Sequence, residues 1–260
     1  MIHWRRTVKR VAEHLLLAHS RSDAPQVSTN YGVLDREIAM RQPVNGWHDH
    51  ATALRQDAAY RMLIQEMRVG QARRDLLVAA EAVNYTGLPD PLILEVGCGS
   101  GYYSEILSYL LGRRMRYVGL DSSQAMASLA HKRYPDRAFV TGDGTSLPFA
   151  DSSFDIVLNG VSLMHILRYE AAIEESRRIA RAWCIFHTVP ILRRRATTVL
   201  RKEAYGEATS EVIFNEAELH HRLRRAGLII RQALDSIPYD LNPVLGEPTA
   251  TKSYVCEVSD

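Results

Sequence analysis

The segment LILEVGCGSGYYSEIL places Gly97, Gly99 and Gly101 between an apolar run and a helical one. Glycines at such a junction let the chain turn sharply and let a ligand approach with no Cβ in the way. The amides that open the next helix favour polar, electron-rich groups. Glu95 stands two residues before Gly97, near the carboxyl end of the apolar run. A carboxylate there repels a pyrophosphate but suits a cofactor with a cationic sulfonium and an ammonium group. Asp121, in YVGLDSSQAM, follows Gly101 by 20 residues. At the tip of a second strand it can accept hydrogen bonds from both hydroxyls of a ribose. Asp143, in FVTGDGTSLPF, is placed to receive an adenine amino group. Two histidines fall at the same edge, His165 in NGVSLMHIL just beyond the fourth strand and His187 in CIFHTVP near the end of the fifth. A hydroxyl acceptor needs a base, so His165 is the first candidate for one and His187 the second; the alternative for either is a hydrogen-bonded packing residue.

These residues need a scaffold that sets them side by side. Between residues 92 and about 190, short apolar runs alternate with helical ones, the pattern of βαβ units and a parallel sheet. Strands are expected at 92–96, 115–120, 137–140, 154–158 and 183–188, with helices near 102–111, 123–133 and 169–181. Glu95, Asp121 and Asp143 then occupy successive strand tips, along the edge where open α/β sheets bind ligands. Before residue 90 the patterning is helical, with Leu54, Ala58, Met62, Ile64 and Met67 near helical spacing. Near the end, FNEAEL offers Asn215 as a helix cap, with Glu218 three residues on in a capping-box arrangement. LIIRQAL and SYVCEV read as two late strands.

The series EVGCGSG, GLDSSQAM and GDGTSLPFADSSFDIV resembles the signature motifs of class I S-adenosylmethionine methyltransferases, in particular the type 11-like branch acting on small molecules. The resemblance covers roughly residues 90 to 190 and departs before the fifth strand, where a Pro-Gly-Gly type turn is replaced by RIARAWCIFHTV. It implies a Rossmann-like three-layer α/β sandwich, its seven-stranded sheet mostly parallel with an antiparallel last strand. A helical cap over residues 1–88 would precede a cofactor domain over 89–260. It implies that Gly97, Gly99 and Gly101 line the methionine portion of S-adenosylmethionine with Glu95 nearby. Asp121 would hold the ribose, Ser122 and Met126 would flank the adenine, and Asp143 with Gly144 would meet its edge. Cys98 and Asn159 complete the expected cofactor-binding set. Trp47, Gln56 and Tyr60 are candidates to close a lid over cofactor and acceptor.

The bulk properties narrow the alternatives. A chain of 260 residues with formal net charge +2 does not require nucleic acid or a membrane as partner. Cys98, Cys184 and Cys256 have no metal-ligand spacing, and His48 with His50 lacks a third ligand, so no metal is expected. No apolar run reaches the length of a membrane span, and a cytoplasmic location is expected. Basic residues at Arg193, Arg194 and Arg195 and at Arg222, Arg224 and Arg225 form a solvated face, or receive a phosphate or carboxylate on an anionic acceptor. Trp4, Arg5, Arg6, Lys9 and Arg10 suit a docking helix. A nicotinamide-dependent oxidoreductase is opposed by Glu95 and by GxGxG spacing in place of GxGxxG. An RNA methyltransferase is opposed by LNGVSL where a Pro-Pro-aromatic motif would stand. A protein that binds the cofactor or S-adenosylhomocysteine without catalysis is the third alternative.

Overall fold

The computed structural model describes residues 28–44 and 46–259. The basic residues from Trp4 to Arg10 lie outside them. Strand β1 (Ser28–Leu34) is followed by helices α1 (Arg36–Arg41), α2 (His50–Arg68) and α3 (Arg74–Tyr85). The alternating region supplies β2 (Leu92–Val96), α4 (Tyr102–Leu111), β3 (Arg116–Asp121), α5 (Gln124–Arg133), β4 (Ala138–Thr141), β5 (Phe154–Gly160), α6 (Tyr169–Ile179) and β6 (Ala180–Leu192). A hairpin of β7 (Thr198–Ala204) and β8 (Glu207–Asn215) comes next, then α7 (Glu216–Arg225), β9 (Leu228–Asp235), α8 (Asn242–Leu245) and β10 (Ala250–Val258).

Seven strands form the expected core in the order β4-β3-β2-β5-β6-β10-β9. The first five run parallel, and β10 is antiparallel to both β6 and β9. Period-2 side-chain direction divides the packing. Leu94 and Val96 face one apolar cluster with Ile173 of α6 and Leu219 of α7, while Ile93 faces another with Leu76 of α3 and Ile106 of α4. This is the three-layer sandwich implied by the motifs.

The structure adds three strands to that core. β1, β7 and β8 make an antiparallel extension, joined to the main sheet where Ile191 and Leu192 of β6 run beside Phe214 and Asn215 of β8. The hairpin turns on Tyr205 and Gly206, both with positive φ (53° and 84°), a geometry that matches strand twist. The region before residue 88 is therefore not a purely helical cap. α3 is also no cap element, because Leu76 to Ala80, Ala82 and Val83 are fully buried. An all-round apolar helix belongs in an interior, and α3 packs on α4, β6, β9 and β10. On α2 the buried face is Ala53, Tyr60, Ile64 and Met67, whereas Leu54 and Met62 are exposed. Asn215 caps α7 through the amides of Ala217 and Glu218, but the box is not closed directly. Glu218 takes the amide and hydroxyl of Thr197, whose hydroxyl in turn receives the Asn215 amide.

Candidate cofactor and acceptor site

A cavity of about 610 Å³ opens at the carboxyl ends of the parallel strands and runs beneath the β7–β8 hairpin. Its cofactor half is built mainly from backbone. Gly97 and Gly99 line it with positive φ of 74° and 54°. The Gly97 and Cys98 amides both donate to Leu120 O, at 2.7 and 3.0 Å, which pins the loop to β3. Asp121 is held from two sides, Oδ2 accepting from the Gly99 amide at 2.8 Å and Oδ1 from the Ser123 amide at 2.9 Å. Burial raises its carboxyl above the usual range, and the two amide bonds oppose that rise. Each oxygen keeps a lone pair for a ligand hydroxyl. Ser122, Met126, Asp143 and Gly144 share the wall, and His48 Nε2 lies 3.2 Å from Ser122 Oγ. A Cβ on Gly144 would stand 2.9 Å from Val96 Cγ1, so the backbone there is bare by necessity.

Trp47, Gln56 and Tyr60 all line the same cavity. Tyr60 stacks on Tyr102 with ring centres 3.5 Å apart. Trp47 packs on His165 at 4.8 Å and on Tyr205 at 6.0 Å. Trp47 Nε1 and Gln56 Oε1 are buried without a hydrogen-bond partner. Buried polar atoms are normally paired, so these two orphans at a cavity wall are observations that fit a polar ligand. Together with the pre-oriented Asp121 they make the residues present compatible with S-adenosylmethionine. Arg73, which the sequence reading passed over, also lines the wall, its Nε and Nη2 held by buried Asp75 at 2.7 and 2.6 Å.

The other half of the cavity takes its walls from distant parts of the chain, among them Val161, Thr188, Lys202, Tyr205, Glu211 and Tyr239. Val161, just past the end of β5, and Thr188, within the neighbouring β6, have φ of 59° and 54°. A β-branched residue rarely adopts that conformation, at a cost of about 1–3 kcal/mol, and such strain gathers at functional sites. His165 belongs to this half. Its Nδ1 lies 3.1 Å from Ser210 O, so Nδ1 carries the proton and Nε2 the lone pair. Burial, with the nearby Lys202 ammonium, pushes its pKa down to about 4.

Five expected site residues stand behind the wall. Glu95 is fully buried, bonded by the Tyr117 hydroxyl, with Oε1 unpartnered and directly behind Gly160. Burial raises its pKa well above normal, against the opposing hydrogen bond from Tyr117. Gly101 (φ 80°) serves helix packing, since a Cβ would lie 2.7 Å from the Phe139 ring. Cys98 is buried against the backbone of Gly119. Asn159 donates to Ser176 Oγ at 3.1 Å inside the core. His187 has both ring nitrogens engaged, by Ser253 Oγ at 2.8 Å and Tyr103 OH at 2.9 Å, and lies one residue behind the lining Thr188. A histidine so enclosed has no lone pair facing the cavity, whereas His165 Nε2 does. Among the described residues no group of side chains is arranged to hold a metal, and no helix is long and apolar enough to cross a membrane.

Sheet order, the glycine loop and the carboxylate at the second strand tip define the class I S-adenosylmethionine-dependent methyltransferase fold. Residues 94–186 match the family described as Methyltransferase domain. Over 135 residues the chain is 32% identical to a demethylmenaquinone methyltransferase of Renibacterium salmoninarum, covering 51% of this chain and 55% of that one. A phthiotriol/phenolphthiotriol dimycocerosates methyltransferase of Mycobacterium tuberculosis is 46% identical over 69 residues, 26% of this chain and 25% of the other. The matched segment thus spans about half or less of these relatives. Among solved structures, a 1,6-didemethyltoxoflavin-N1-methyltransferase of Burkholderia thailandensis, with bound 1,6-didemethyltoxoflavin and S-adenosylhomocysteine, aligns over 93% of this chain and 99% of its own. The TM-score is 0.54 at 18% identity, a likeness of fold.

Proposed function

We propose that this chain is a cytoplasmic enzyme that transfers the methyl group of S-adenosylmethionine to an oxygen of a small-molecule acceptor. The observation that carries the reading is one continuous cavity, with the doubly anchored Asp121 in one half and the open Nε2 of His165 in the other. The small-molecule acceptors in the names of the relatives support that substrate class.

S-adenosylmethionine, when bound, supplies an electrophilic methyl on a sulfonium. Asp121 would hold the ribose hydroxyls, Asp143 and Gly144 the adenine edge, and Arg73, Gln56 and the Gly97–Gly99 backbone the amino-acid portion. Trp47 and Tyr60 exclude water from the reacting volume, which strengthens each polar contact within it. His165 is neutral at physiological pH and takes the acceptor's hydroxyl proton on Nε2 while its Nδ1–H stays on Ser210 O. A pKa of about 4 makes it a weak base, so alignment of the acceptor supplies more of the rate than proton abstraction does.

Calorimetry with S-adenosylmethionine and S-adenosylhomocysteine, with NAD as the control ligand, tests the cofactor. Micromolar binding of the first two and none of NAD is expected. Preference for NAD would overturn the assignment.

A further inference from the structure

The inward row of β7 is Leu200, Lys202 and Ala204, with Arg201 and Glu203 turned out. Lys202 is 6% exposed although it sits where the strand pattern calls for an apolar residue. An ammonium is costly to bury unless it is paired. Glu211, diagonal to it on β8, meets Nζ at 2.8 Å. Tyr239 OH donates to the same carboxylate oxygen at 2.6 Å, and the hydroxyls of Tyr31 and Tyr239 are 3.0 Å apart. A lysine ammonium has three N–H donors. Among the described residues Nζ finds no acceptor besides Glu211, yet Lys202, Glu211 and Tyr239 all line the cavity. The wall around them sets the apolar Val161, Pro190 and Ile237 and the Tyr205 ring among the hydroxyls of Thr188, Ser210 and Thr251.

We propose that Lys202 is the acceptor-reading residue of this cavity, donating a hydrogen bond to a neutral carbonyl oxygen carried on an apolar ring. The inference rests on the methyltransferase reading only in taking this half of the cavity as the acceptor's. Charge decides against an anion. Glu211 already balances Lys202, so a carboxylate or phosphate would enter a buried space with one negative charge uncompensated. The arginines that suggested an anionic acceptor stand elsewhere. Arg193 reaches Glu216, Arg194 reaches Glu247 and Arg195 bonds Leu245 O, and none of them lines the cavity. Arg168 does line it but is exposed to solvent, and Arg73 is held by Asp75 in the cofactor half.

The test uses the full chain saturated with S-adenosylhomocysteine and three bicyclic probes, titrated by calorimetry. Tetralin has no oxygen, 1-tetralone has one carbonyl, and 1-naphthoate has a carboxylate. In the wild type 1-tetralone is expected to bind about tenfold more tightly than either other probe, the scale of one hydrogen bond to a charged group. Lys202→Met removes the advantage over tetralin. Glu211→Gln, which leaves the ammonium unbalanced, reverses the order so that 1-naphthoate binds best. A merely structural ion pair would not invert a ligand preference. Tightest binding of 1-naphthoate to the wild type, no difference between 1-tetralone and tetralin, or no binding of 1-tetralone would each overturn the proposal. So would an unchanged order in both variants. Where Lys202→Met does not fold, the double variant Lys202→Met, Glu211→Gln replaces it, with the same loss expected. Failure of the methyltransferase reading shows separately, as a wild type that does not bind S-adenosylhomocysteine; the probe series is then read on the cofactor-free protein.

Discussion

The two halves of the cavity are made in different ways. The cofactor half comes mainly from strand tips between residues 96 and 144, and its recognition elements are backbone turns and one carboxylate fixed by two amides. The acceptor half draws on residues from Ser28 to Thr251, and its polar groups are side chains linked across β1, β7, β8 and the segment after β9, with Ser210 Oγ left unpartnered. A site made of backbone stays put when its neighbours change. A site made of interlocked side chains changes character with a single substitution.

If the halves are separable, variants in one should leave the other alone. The largest effect expected is on turnover in His165→Ala, a fall of about 10²- to 10⁴-fold. Affinity for S-adenosylhomocysteine should be kept; steady-state assay and calorimetry on the same preparation check both, and lost cofactor affinity would break the comparison. Next, Asp121→Ala should weaken S-adenosylhomocysteine by about 100-fold, on the scale of hydrogen bonds to a charged group, while 1-tetralone binding to the cofactor-free protein is unaltered.

A third effect is expected on stability, beneath the acceptor half. Burial pushes His187 down to about 4, from an unfolded value of about 6.5. The unfolded chain therefore takes up the proton first. This contribution is whole above about pH 6.5 and is lost as the pH falls towards about 4, up to about 3 kcal/mol. Urea unfolding at pH 7 and pH 4.5 should show a smaller pH difference in His187→Gln than in the wild type. His165 titrates in the same window, so the comparison between the two proteins is the informative one. Smallest of the four, Tyr103→Phe removes the hydroxyl on His187 Nε2 and should cost about 1 kcal/mol in the same assay, with no change in cofactor affinity.

Much of the cofactor half was legible in the sequence because its signals are local. Leu92–Val96 and Tyr102–Leu111 fall where the apolar runs place them, and β3, α5 and β4 are displaced by about one residue. Asp121, Ser122, Met126, Asp143 and Gly144 all reach the wall. Glu95 and Asn159 did not, because direction along a strand is invisible until its neighbours are known. Glu95 shares the face of Ile93 and so points into the core beneath α4. The extension sheet escaped notice for another reason. VLRKEA carries charge at three successive positions, which masks the alternation that marks a strand. Tyr205-Gly206 also lacks the Asn-Gly or Asp-Gly that announces a two-residue turn. Nothing in the sequence sets Lys202 apart from its charged neighbours Arg201 and Glu203. Only the pairing of β7 with β8 shows it turned inward beside Glu211.

The junction between the two sheets has a consequence for how such a protein can diverge. β8 shares only two ladder pairs with β6, and the β7–β8 hairpin holds both Lys202 and Glu211. Lineages that exchange this one hairpin would inherit a new chemical preference while keeping the cofactor machinery of their ancestor intact. Selection could thus act on acceptor preference through a short contiguous stretch of gene, provided the exchanged hairpin keeps the Ser210 carbonyl that holds His165 Nδ1.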